Sequence, residues 1–87
     1  MVLIMATITR TNAERIKNAF TTQSFAKVPL TCGGFLYMDA KAIDPFAILS
    51  VSGLEIQLWG VKGVTLSDYA VTIRSIGAPV DIPIRGA

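Results

Sequence analysis

Residues 47–59 read Ala47-Ile48-Leu49-Ser50-Val51-Ser52-Gly53-Leu54-Glu55-Ile56-Gln57-Leu58-Trp59, and their patterning decides the fold class. Two apolar runs flank Ser52-Gly53, a dipeptide suited to a tight turn, so the stretch reads as a β-hairpin. In the second arm Leu54, Ile56 and Leu58 fall on one face and Glu55, Gln57 and Trp59 on the other. That is the period-two alternation of a half-buried strand. Further out, residues 35–39 alternate aromatic and aliphatic side chains after a Gly33-Gly34 turn. Residues 25–31 form a candidate strand that Pro29 assigns to a sheet edge, and Pro83 does the same for 80–85, where Val80, Ile82 and Ile84 share a face. Asp44-Pro45 initiates a turn, and Gly60 and Gly63 bracket another.

Two segments depart from this β pattern. Thr11-Asn12-Ala13-Glu14 has the spacing of a capping box, with Thr11 as N-cap. Ile16, Ala19 and Phe20 follow at helical spacing, which predicts a short helix over residues 12–20. Residues 69–76 carry conflicting signals. Their Tyr, Val, Thr and Ile content favours a strand, whereas Ser67-Asp68 before them and Gly77 and Pro79 after them would suit a helix. The composition favours the strand.

The sequence therefore predicts a mainly β, single-domain chain: a small antiparallel β-barrel or sandwich of OB-like type with one short N-terminal helix. Residues 1–10 form an N-terminal arm or strand, and 11–87 the β-rich domain. The chain has 87 residues, 52% of them hydrophobic and only 16% charged, against about 25% charged in an ordinary soluble domain. So small a domain buries little of its surface, and a chain this poor in charge leaves apolar residues exposed. Such patches mark partner surfaces.

Composition also excludes chemistry. The chain has no histidine, which removes His-based triads and His-ligated metals. It has one cysteine, Cys32, so neither an internal disulfide nor a Cys-rich zinc site forms. Cys32 has no histidine to activate it and reads as a small buried hydrophobe. The six acids, Glu14, Asp39, Asp44, Glu55, Asp68 and Asp81, have no metal-loop spacing. No cofactor is expected. The first residues lack the basic n-region and the length of a signal peptide, and no apolar run reaches membrane-helix length. The expected location is intracellular (cytoplasmic) or within a particle, with no membrane span.

Part of the chain resembles a known family. Ala42-Ile43-Asp44, the run from Gly53 to Lys62, Gly77-Ala78-Pro79-Val80 and Arg85-Gly86 are similar to the strand motifs of staphylococcal-nuclease-like domains. The resemblance spans residues 42–86. It implies an OB-type five-stranded barrel and calcium-dependent cleavage of nucleic acid, with 69–76 as a helix. Phe46 stands where the family has its second metal-binding acid, Gln57 at the phosphate-binding Arg, Lys62 at the second metal-binding Asp and Thr65 at the Glu. Without those oxygen ligands the cation has no cage, so the resemblance implies a degenerate, shortened relative.

Three functions follow, in order. The first is a non-catalytic structural or assembly protein, a β-rich subunit that self-associates into a homo-oligomer or docks on a larger complex. Small virion or secretion-machine components share this composition. Val2, Leu3, Ile4, Ile8 and Trp59 are the expected partner contacts. The second is a non-catalytic OB-like module that binds single-stranded nucleic acid through Trp59, Lys62, Arg74 and Arg85, a basic-plus-aromatic set of the type such binding uses. The third is a residual nuclease-like enzyme. The net charge of +2 is small for a nucleic-acid footprint, which places assembly first.

Overall fold

The computed structural model describes residues 6–86. Its elements are α1 (Arg10–Thr21), β1 (Phe25–Pro29), β2 (Phe35–Asp39), β3 (Phe46–Val51), β4 (Leu54–Trp59), β5 (Gly63–Leu66), β6 (Ala70–Arg74) and β7 (Val80–Pro83). The strands form two antiparallel sheets, β1-β2-β3-β4 and β5-β6-β7, each a simple meander. The fold is mainly β with one helix. Its sheets do not close on each other, so the barrel expectation gives way to a sandwich. The physical reason is that separate edges remain at β1 and β4 and at β5 and β7.

The 47–59 hairpin forms with Val51 opposite Leu54. Ser52 and Gly53 have φ of 50° and 77°, the paired positive values of a type I′ turn, whose twist matches the strands it joins. Residues 69–76 contain a strand, as their β-branched content indicates, rather than the helix the resemblance implied. β5 begins where the turn bracketed by Gly60 and Gly63 ends. Gly60, at φ 61°, makes that turn, while Gly63 is the first residue of the strand, opposite Arg74. A Cβ on Gly63 would collide with the Arg74 guanidinium, so this glycine makes room rather than bending the chain.

The helix starts two residues earlier than its capping pattern suggests. Thr9, not Thr11, is the N-cap, and its side chain accepts a hydrogen bond from the Asn12 amide at 3.2 Å. At the other end Gln23 N–H donates to Phe20 O and Ser24 N–H to Ala19 O. With Gln23 at φ 52°, this is a Schellman closure built without glycine. Ala13, Ile16 and Ala19 form the buried stripe. The helix packs on β1 and β2 of one sheet and on β5 and β6 of the other. Its stripe joins one hydrophobic cluster with Val28, Leu36 and Met38 of the first sheet and Val71, Ile73 and Ile82 of the second.

Two seams tie the sheets together. At one, Thr31 N–H donates to Thr7 O, Ile8 N–H to Pro83 O and Arg85 N–H to Ile8 O. Ile8 pairs in parallel with Ile84, and the Thr7 and Thr31 hydroxyls bond each other. At the other, Val61 N–H donates to Pro45 O, Lys62 N–H to Arg74 O and Ile76 N–H to Trp59 O. Ile8 is fully buried in its own chain's core. It was expected to contact another copy, but within this chain its side chain is covered by the core and its backbone is bonded to Pro83 and Arg85. Val2, Leu3 and Ile4 lie outside the described residues. Cys32 is exposed in the β1–β2 connection, contrary to its reading as a buried hydrophobe. The glycine-rich turn around it carries the thiol away from the core. No helix among the described residues is long and apolar enough to cross a membrane.

The two threonines separate the capping alternatives. Thr9→Ala is expected to lower unfolding free energy by about 1 kcal/mol, and Thr11→Ala by less than about 0.5 kcal/mol. Urea denaturation of both variants checks this, and equal losses would contradict the assignment of the cap.

Candidate functional site

The helix and second sheet cover one face of the four-stranded sheet, and the opposite face looks outward. Antiparallel register assembles that outer face from residues far apart in the chain. Phe25, Asp39, Phe46 and Trp59 form one cross-strand row, and Lys27, Tyr37, Ile48 and Gln57 the next. Pro29, Phe35, Ser50 and Glu55 complete it. Strand alternation puts an aliphatic residue inward for each of these outward ones. The result is an aromatic surface laid over a core of Leu, Val, Ala and Met.

The rings are organised. Phe46 lies 5.2 Å from Trp59 and 6.0 Å from Tyr37, centroid to centroid, with tilted planes. Such spacing lies within the favourable range for aromatic pairs. Lys27 Nζ sits 4.2 Å above the Phe35 ring, a cation–π arrangement. Phe25 is 62% exposed and Trp59 47%. Two more exposed apolar residues flank the Trp59 end. Ile43 lies in the β2–β3 connection, and the Ile76 amide donates to Trp59 O at 3.2 Å.

Polar groups fix the central row. The Tyr37 hydroxyl donates to Asp39 Oδ2 at 3.4 Å, while Asp39 Oδ1 accepts from the Lys41 and Ala42 amides at 3.1 Å each. The Tyr37 phenol is pushed above its ordinary value, first by desolvation beside its neighbours, then by the Asp39 charge, then by the hydrogen bond to Asp39. Each of these favours the protonated phenol.

The structure brings together three of the four residues expected to contact nucleic acid. Trp59 ends β4, Lys62 follows it past the Gly60 turn, and the Lys62 amide donates to Arg74 O at 2.7 Å at the same seam. Arg85 is not with them. It follows β7 beside Ile8, at the far end of β6 from Arg74, roughly 14 Å along the strand. Sequence reading missed Phe25, Phe35, Tyr37 and Phe46 as members of one surface. The alternation in residues 35–39 was visible, but only the four-strand register shows that the aromatic faces coincide. Among the described residues no group of three or more acids and cysteine is placed to hold a metal ion.

Because Tyr37 keeps its proton to higher pH folded than unfolded, its contribution to stability is complete below the ordinary tyrosine range. It is lost as pH rises through the raised value. Asp39→Asn removes both Asp39 effects, so the Tyr37 ionisation followed by ultraviolet absorbance is expected to move down toward the ordinary value. An unchanged titration would show that Asp39 does not act on the phenol.

Compared with known proteins, the chain matches no family model, no curated relative and no solved structure.

Proposed function

We propose that the chain is a non-catalytic assembly protein that self-associates, and that the aromatic outer face of the four-stranded sheet is a contact surface. The observation that carries this reading is the row Phe25–Asp39–Phe46–Trp59, with its two end aromatics exposed and its central ring clamped between neighbours. Aromatic residues are enriched where proteins bind one another, because they bury large area at low entropic cost. The charged side chains on the face are Lys27, Asp39 and Glu55, whose formal sum is −1. A surface of that charge repels a phosphate backbone weakly and suits a protein partner better.

Sedimentation velocity over a wide concentration range tests the reading. The wild type is expected to associate reversibly. Phe25→Ser and Trp59→Ser together are expected to weaken association by roughly tenfold or more, and Phe25, being mostly exposed, loses little stability in the process. A chain that stays monomeric throughout, or associates equally well with both serines, overturns the reading.

One observation favours a second reading, single-stranded nucleic-acid binding: the backbone bond that sets Lys62 and Arg74 side by side near Trp59. In that case oligonucleotide affinity falls steeply with salt, and Lys62→Ala flattens the salt slope by about one ion. Fluorescence anisotropy at low salt with no binding removes this reading.

A further inference from the structure

The second surface is an edge rather than a face. In a two-residue hairpin the residues flanking the turn exchange both of their hydrogen bonds. The Val51–Leu54 closing pair therefore directs Leu54, Ile56 and Leu58 backbone groups toward β3. Glu55, Gln57 and Trp59 must direct theirs away from it. The Ile76 amide bound to Trp59 O is independent confirmation of that parity. Among the described residues the outward N–H and C=O of Glu55 and Gln57 have no backbone partner.

The other edges are managed. Pro29 removes one donor from β1, its carbonyl accepts from Asn12 Nδ2, and Lys27 stands beside it. β5 lies against α1. β7 is bridged at its end by Ile8. Unpaired edge groups are a template for another strand, and β4 carries its unpaired groups with neither a proline nor a lysine along the strand.

We propose that β4 pairs antiparallel with β4 of a second copy of this chain, in the register that sets Glu55 opposite Gln57 of the other copy and Ile56 opposite Ile56. This rests on reading the chain as an assembly protein and adds a contact to the aromatic face. The two are compatible, since the face uses side chains normal to the sheet and the edge uses backbone within it.

Three observations fix the occupant and the register. First, Leu54 is 42% exposed and Ile56 partly exposed on the inner side of the edge. In this register Leu54 meets Leu58 of the other copy, and the two Ile56 side chains meet, so both are covered. Second, the outer side sets the Glu55 carboxylate against the Gln57 amide. No like charges lie directly opposite, and the two glutamates sit on a diagonal of roughly 8 Å. Within one chain Gln57 Nε2 already donates to Glu55 Oε1 at 3.0 Å, the same pairing chemistry. Third, Ile76 occupies Trp59 O, so an added strand must stop before Trp59. A second β4 in this register does stop there, because its own Ser52-Gly53 turn begins one residue past the Leu54–Leu58 pair. The open length of edge and the length of the incoming strand agree.

The test uses the whole chain in a Cys32→Ser background, since the exposed Cys32 thiol would cross-link by itself. Ile56→Cys is expected to give a disulfide-linked dimer on oxidation with oxidised glutathione, because the Ile56 pair is a non-hydrogen-bonded one, the kind whose Cβ atoms approach most closely, about 4.5 Å, at the edge of disulfide reach. Glu55→Cys, whose copies are diagonal, is expected to cross-link several-fold less. Gln57→Pro removes an outward donor without touching the β3 ladder and is tolerated on an edge. It is expected to weaken the dimer roughly tenfold or more in sedimentation. Equal cross-linking at both positions, or none at Ile56→Cys in a folded chain, overturns the edge contact. If the Phe25 and Trp59 serines abolish association while Gln57→Pro and the cross-links do nothing, the edge falls and the face stands. The converse pattern removes the face and keeps the edge. A wild type that is monomeric at every concentration removes both.

Discussion

Both the aromatic face and the open edge of β4 depend on the parity set by the Val51–Leu54 closing pair. Side chains in a strand alternate with period two, so a one-residue slip would exchange the faces of β4. Leu58 would go to water, and Trp59 would go to the core. The same parity decides which backbone groups meet β3 and which face the open edge. Ser52 bears the local cost, since it holds a positive φ that a side chain adopts less readily than glycine does. The register then passes through β3 and β2 to β1, so the aromatic rows are set by one turn and three ladders.

The rest of the fold holds that sheet in place. The helix touches both sheets but offers only Ala13, Ile16 and Ala19 as its buried stripe, a modest hydrophobic contribution. The seams complete the joint. Residues 7 and 8 reach from the end of β1 to β7, so a segment outside the helix and strands is bonded on both sides and contributes a fully buried side chain. Such pairing leaves few backbone groups without partners in the core, where an unmade bond costs most. At the opposite seam the Trp59–Ile76 contact does double duty. It closes the sandwich and sets the limit of the free part of β4.

The β class, the hairpin, both Pro-marked edges and the strand at 70–74 were legible, because alternation and turn chemistry are local signals. The helix was legible in existence but not in its first residue. Thr9 and Thr11 are both competent caps, and the choice depends on where the chain enters from the Ile8 bridge, which is a tertiary fact. β5 was hidden because Gly63 reads as a turn residue, when its missing Cβ serves the Arg74 side chain across the sheet. The open sandwich in place of a barrel depends on which edges meet, and no local pattern encodes that. The nearness of Lys62 to Arg74, and the separation of Arg85 from both, follow from the β5–β6–β7 order and not from any local pattern. The aromatic surface was the largest omission, since Phe25, Phe35, Tyr37 and Phe46 come from three strands and coincide only through register.

An aromatic face on a chain so poor in charge raises the question of why it is not simply a second core. The distribution of its rings answers it. Phe46 is braced by Tyr37 and Trp59, and Tyr37 is tied to Asp39, so the middle of the face is already ordered before anything binds. Ordering groups in advance lowers the entropy lost on association. Phe25 and Trp59, at the two ends of the same row, are the most exposed aromatics of the face. Among the described residues the chain has no further layer to cover this face, and a centre ordered in advance suits the contact proposed for it. Trp59 belongs both to this face and to the strand whose edge is open, so the two contacts meet at one residue. If the chain associates as proposed, a partner at either surface would meet Trp59, so the two proposed contacts would be coupled through that residue.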